Sequence, residues 1–149
     1  MIVEVDQSIK VEQTHRDTAV AFSDGIRYTV LIPARVKREA INRLRAKGKY
    51  ARHLYLWLFV LVLYHLLKSH LNQIAVIIID TEYKGNEENT RALLLQLFRR
   101  ESKKIPKIVF QQISRKSSAH KAAIAVVRGD AKPDRILTTR EFMKPITEK

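Results

Sequence analysis

An apolar run at residues 74–84, IAVIIIDTEYK, ends abruptly in Asp80, Glu82 and Lys84. On an extended backbone, residues two apart project from one face, so Asp80 and Glu82 would point the same way. Carboxylate oxygens are the hard ligands that Mg²⁺ and Mn²⁺ prefer. A further carboxylate, Asp6, lies in the apolar setting VEVDQS, and His120 opens the segment SSAHKAAIAVVRG. Carboxylates of this kind, with an imidazole nearby, suit metal-assisted attack on a phosphoryl group. Overall charge points to the same substrate class. Lys and Arg total 28 against 15 Asp and Glu, for a net charge of +13. Such an excess is the electrostatic footprint of a nucleic-acid binder, although it bears on partners and not on fold.

Other chemistries are excluded by what is missing. The chain has no cysteine, hence no disulfide framework, thiol nucleophile or thiolate zinc site. That fits a reducing compartment such as the cytoplasm. No G-x-G-x-x-G, Walker A or G-x-S-x-G motif occurs. The five histidines (His15, His53, His65, His70, His120) lack H-E-x-x-H spacing. The N-terminus, MIVEVDQSIK, has no apolar signal region. The segment LYLWLFVLVLYHLL is 14 residues long, short of the roughly 20 that a membrane span needs. It reads as a core helix, and no membrane span is expected; a basic peripheral membrane protein using this segment is the less favoured alternative.

Positioning of the candidate residues falls to a recurrent pattern of strands and helices. Residues 2–11 alternate as a strand, 18–22 form a second, and Ser23-Asp24-Gly25 turns the chain into a third at 26–32. Pro33 opens a helix over 34–47, with Val36, Ala40, Ile41 and Leu44 as its apolar stripe. A mostly apolar helix follows at 50–71, then the strand ending at Asp80, predicted to be parallel and buried on both faces. Asn86, Glu87 and Glu88 suit the start of the next helix, and Leu93, Leu94, Leu97 and Phe98 its buried side. A fifth strand spans 107–113, a last helix spans 119–128 with Ser117 or Ser118 as its cap, and 130–149 reads as a polar tail in which 138–143 forms a short helix. At 149 residues the whole is one domain.

This order, with D-x-S (Asp6-Gln7-Ser8) in the first strand and IIIDTEY closing the fourth, resembles the ribonuclease H-like superfamily. The resemblance covers roughly 2–128. It implies an α/β fold with a mixed five-stranded sheet: a three-strand antiparallel meander, then alternating helices and parallel strands. It further implies a nuclease whose strand acids hold Mg²⁺ or Mn²⁺. Carried over by position, Asp6, Asp80 and Glu82 would be the metal ligands, and the catalytic set would add His120. The chain departs from the superfamily pattern at two places. Glu39 is the only acid on the first helix and lies off its stripe, and the last helix has His120 and Lys121 where another acid is usual.

Two rivals follow from these departures. One is a non-catalytic nucleic-acid-binding module of the same fold. The other is a restriction-type nuclease using Asp80, Glu82 and Lys84, which would need a preceding acid that no residue between Glu39 and Asp80 supplies. Under any of these, the nucleic-acid contacts expected are Arg35, Arg38 and Arg45 on the outer side of the first helix, Lys84, and Arg115, Lys116 and Lys121 around the last. Tyr83 is the candidate for stacking on a base.

Overall fold

The computed structural model describes residues 1–24, 26–50, 53–81, 85–114 and 116–147. The fold is α/β. Among these residues the strands are β1 (Ile2–Ser8), β2 (Thr18–Asp24), β3 (Ile26–Ile32), β4 (Val76–Asp80), β5 (Lys107–Gln111) and β6 (Arg135–Ile136). The helices are α1 (Ala34–Ala46), α2 (Leu54–Leu67), α3 (Glu87–Phe98), α4 (Ser118–Val127) and α5 (Thr139–Thr147), with a 3₁₀ turn at Lys68–Gln73. They form one mixed sheet in the order β5-β4-β1-β2-β3-β6. β1, β2 and β3 pair antiparallel, β4 and β5 continue parallel to β1, and β6 lies parallel to β3.

Three expectations need correction. The sheet has six strands rather than five. β6 is two exposed residues, too short to leave a periodic signal, and it is held by a side-chain clasp. Asp134 Oδ2 accepts from the Thr29 backbone N–H at 2.8 Å and from the Thr29 hydroxyl at 3.1 Å. The stretch read as a polar tail contributes to the core. α5 buries Phe142, Met143, Pro145 and Ile146 and packs on α1 and α2. Its apolar residues are diluted among charged ones, so composition hides what helical spacing places on one face. Finally, β4 is not buried on both faces. Ile77 and Ile79 are buried, whereas Val76 and Ile78 are half-covered, because on their face α4 lies over β1, β2 and β3.

The two faces of the sheet carry separate clusters. On one, Val3, Val5, Val20, Phe22, Ile77 and Ile79 pack against the stripes of α1, α2, α3 and α5. α2 sits inside this layer with twelve of its fourteen residues buried, which suits a helix apolar on all sides. α2 and the 3₁₀ turn together run Leu54–Gln73, 20 residues, long and apolar enough by composition to cross a membrane, yet 72% of the most apolar window is buried inside the fold. On the other face, Ala19 and Ala21 meet Ala122, Ala123 and Val126 of α4. Alanine on both sides lets α4 lie close to the strands.

Candidate active site

β1 and β4 are parallel and in register, Val3 with Ile77 and Val5 with Ile79. The next position along each strand therefore sets Asp6 beside Asp80. Both project to the α4 face, because the core-facing residues are their neighbours Val5 and Ile79. Asp6 also pairs across β2 with Ala21, whose methyl leaves room for α4 to approach. That approach brings in His120. Ser117 caps α4, its side chain accepting from the His120 backbone N–H at 3.1 Å. The first turn thus fixed, His120 Nδ1 lies 2.6 Å from Asp6 Oδ2. The other Asp6 oxygen accepts from the Gln7 backbone N–H at 2.9 Å. Asp80 Oδ1 accepts from the Ile113 N–H at 2.7 Å, tying the chain after β5 to the end of β4.

The electrostatics follow from burial. The Asp6 side chain is 5% exposed and that of His120 25%. Burial raises the Asp6 pKa above its ordinary value, and the charge of Asp80 adds to this. The bonds from His120 and the Gln7 N–H oppose the rise without cancelling it. Neighbouring carboxylates toward the carboxyl ends of parallel strands stand where open α/β sheets commonly bind ligands.

The sequence-derived candidates fall into three sets. Asp6, Asp80 and His120 come together. Lys116 and Lys121 are exposed at the start of α4 on the same face. Arg35, Arg38 and Arg45 are exposed on α1, which belongs to the opposite layer. Arg38 is also engaged, donating from Nη1 to the Thr14 carbonyl at 2.9 Å. Glu82, Tyr83, Lys84 and Arg115 lie outside the described residues. Among the described residues, no three His, Asp or Glu side chains are grouped so as to hold a metal ion.

One buried cation in the opposite layer escaped the sequence reading. Lys37 is wholly buried. Its Nζ donates to the Gln13 carbonyl at 2.7 Å and to Thr18 Oγ1 at 2.8 Å. With the Arg38–Thr14 bond, and Asp17 Oδ1 accepting from the Ala34 N–H at 2.8 Å, it clasps the β1–β2 connection onto the start of α1. That connection leaves β1 two residues beyond Asp6. Burial lowers the Lys37 pKa to about 8, against the opposing pull of Asp17 and Glu12. A signal existed, since Lys37 precedes Ala40, Ile41 and Leu44 at helical spacing and so shares their buried side.

Comparison with protein-family models, with curated proteins and with solved structures finds nothing that matches this chain.

Proposed function

We propose that the chain is a nucleic-acid-binding protein of ribonuclease H-like architecture that cleaves phosphodiester bonds with the help of Mg²⁺ or Mn²⁺. The observation that carries this reading is the in-register placement of Asp6 and Asp80 on one sheet face, with His120 Nδ1 at 2.6 Å from Asp6. The order β5-β4-β1-β2-β3, with an antiparallel meander and two parallel strands, supports the architecture, β6 being a short addition at the edge. The net charge of +13 supports the polyanionic substrate.

The donor set suits a hard cation. Asp6 and Asp80 would hold one ion with water completing its shell, as Mg²⁺ is commonly bound through one or two carboxylates. Their mutual repulsion is the charge that such an ion offsets. When bound, the ion supplies a Lewis acid for the phosphoryl oxygens and lowers the pKa of a coordinated water. His120 has a separate task. If Asp6 accepts from Nδ1–H, the tautomer is fixed and Nε2 is the basic nitrogen, able to orient a water and take its proton. Lys116 and Lys121 would meet the substrate backbone on the same face.

A second reading, the non-catalytic module, is favoured by one observation: no three-residue metal group occurs among the described residues. Incubation of labelled single-stranded, duplex and hybrid nucleic acids with Mg²⁺, Mn²⁺ or EDTA separates the two. The enzyme reading expects metal-dependent cleavage that falls at least about 100-fold in Asp80→Asn, with binding retained. Its affinity should decline with salt by a log–log slope of roughly −0.9 per duplex phosphate contacted. Salt-dependent binding with no cleavage in any metal leaves the module. Absence of binding at low salt overturns both.

A further inference from the structure

On the opposite side of the molecule from Asp6, the C-terminal ends of α2 and α3 converge with α5 around a cavity of about 450 Å³. That is within the size range of small-ligand pockets. Lys68, Arg100 and Lys144 supply three cations to its lining, against one acid, Glu101, which accepts a hydrogen bond from the Tyr64 hydroxyl. His65 lines it too, from a position 3% exposed. Its Nε2 lies 3.0 Å from the Phe142 carbonyl oxygen. A carbonyl only accepts, so Nε2 carries the proton and Nδ1 is left as an acceptor. Nδ1 is buried and has no partner among the described residues. A buried acceptor without a donor is an uncompensated cost, and in native proteins a ligand or water commonly answers it.

We infer that this cavity binds a small phosphate-bearing molecule, its anionic oxygens facing Lys68, Arg100 and Lys144 and a proton-bearing oxygen donating to His65 Nδ1. The requirement for a donor follows from the imidazole being neutral. Burial pushes the His65 pKa down to about 4, so the ring is uncharged at physiological pH and presents a lone pair. Inorganic phosphate near neutrality is both an anion and, through the P–O–H that even its dianion keeps, a donor; a phosphate monoester, mostly dianionic there, would have to donate from a hydroxyl elsewhere in the molecule. Sulfate has the same shape and charge but no proton. The cations alone have another use, because Lys68 and Arg100 stand at helix C-termini, where positive charge is favourable, and Arg100 Nη1 donates to the Pro145 carbonyl at 2.8 Å. Burial first, then Arg135 and Lys144, lowers the Lys68 pKa, with Glu101 and Glu141 opposing.

Inorganic phosphate is therefore the probe, titrated against the full chain by thermal unfolding and isothermal calorimetry at constant ionic strength, with sulfate in parallel. The expected result is a saturable rise in Tm with phosphate, about 3 °C at tenfold excess over Kd, and a clearly smaller one with sulfate. Equal responses to the two anions would mean that the cations act only as helix-end charges, and would overturn the inference. Lys68→Gln with Lys144→Gln, the first half-buried and the second exposed, should abolish the phosphate response, and His65→Gln should erase the preference over sulfate. Should His65→Gln fail to fold because the bond to Phe142 is lost, the lysine pair still decides the outcome. Asp80→Asn should leave the response unchanged. If the response instead disappears there, or if an oligonucleotide competes it away while the lysine variant retains it, phosphate is binding at the Asp6–Asp80 site and the inference fails.

Discussion

The strands that present Val5, Val20 and Phe22 to one side present Asp6, Ala19 and Ala21 to the other. The first side carries a thick layer of large aliphatic and aromatic side chains from four helices, and its residues are almost all fully buried. The second carries a thin seam of alanines under a single ten-residue helix, and beside it two carboxylates and an imidazole. Burial of large apolar surface is what stabilises a domain of this size. Small side chains contribute little area, but they set the spacing between α4 and β1 that a 2.6 Å contact requires. The large apolar core and the candidate site occupy separate faces of one sheet. Damage to one face should therefore leave the other largely intact.

The largest effect is expected on the thick side. Leu61 is fully buried in α2, and Leu61→Ala should cost about 2–5 kcal/mol of unfolding free energy, read by urea denaturation. Nucleic-acid binding by the folded fraction should be unchanged. A loss under about 1 kcal/mol would show that α2 is loosely packed and would weaken the contrast between the faces.

Lys37 allows the clasp at the start of α1 to be weighed against that core. Its folded pKa of about 8 lies below its ordinary 10.5. The unfolded chain therefore holds more protons between these values, and stability should rise with pH across that window. The rise attributable to Lys37 is at most about 3 kcal/mol. In Lys37→Met, which leaves the Gln13 carbonyl and Thr18 hydroxyl without this donor, the pH-dependent component should vanish. Unfolding of both proteins at pH 7, 8.5 and 10 checks this, and parallel curves would place Lys37 in water rather than inside.

On the thin side the test is overpacking. Ala21→Leu inserts three carbons beneath α4 and should cost about 1–3 kcal/mol. More tellingly, it should displace His120 from Asp6, seen as a change in the His120 imidazole shifts by NMR. Unaltered shifts in the folded variant would mean that α4 is not held at its height by the alanines.

These contrasts were legible in the sequence to different depths. β3 lies at the predicted residues 26–32, and α1 within a residue of its predicted end, because alternation and a Pro-led amphipathic stripe are local signals. Asp80 stands out at the end of an apolar run, and the superfamily resemblance places Asp6 on the strand beside it, as the register of β1 and β4 has it. The approach of His120 to Asp6 is not legible, since it depends on a helix 114 residues away in sequence. The role of TAVAF was likewise hidden. The strand was plain, but that its alanines form the seam for α4 emerges only once the partner helix is placed. β6 leaves no signal because it is too short for periodicity, while α5 is expected as a short helix at 138–143 and its burial is hidden because its apolar face is diluted by charge. The arginines of α1 are exposed as expected, but that their helix lies in the layer opposite the candidate site depends on layer order, which local pattern does not encode.

The smallest effect expected in stability is the most informative about chemistry. Asp6 has its pKa raised in the fold, chiefly by burial and further by Asp80. A carboxyl with a raised pKa contributes stability below its unfolded value of 3.8 and loses it as pH climbs through the folded value. At pH 7 the ionised Asp6 is therefore a liability to the fold. Asp6→Asn removes the charge and keeps the shape. Its Oδ1 can accept from the Gln7 N–H, while its Nδ2 donates to His120 Nδ1, so both contacts survive if the imidazole shifts its proton to Nε2. The variant should then match or exceed the wild-type Tm at pH 7 and lose that advantage near pH 4. The proton on Nε2 would also remove the basic nitrogen that the proposed chemistry uses. Asn at position 6 should thus separate the two properties, a fold as stable as before and a site that no longer accepts a proton from water. Thermal unfolding from pH 4 to 8 alongside ¹⁵N imidazole spectra reads both. A Tm that falls by several degrees at pH 7 would instead make the Asp6–His120 pair a structural tie for α4.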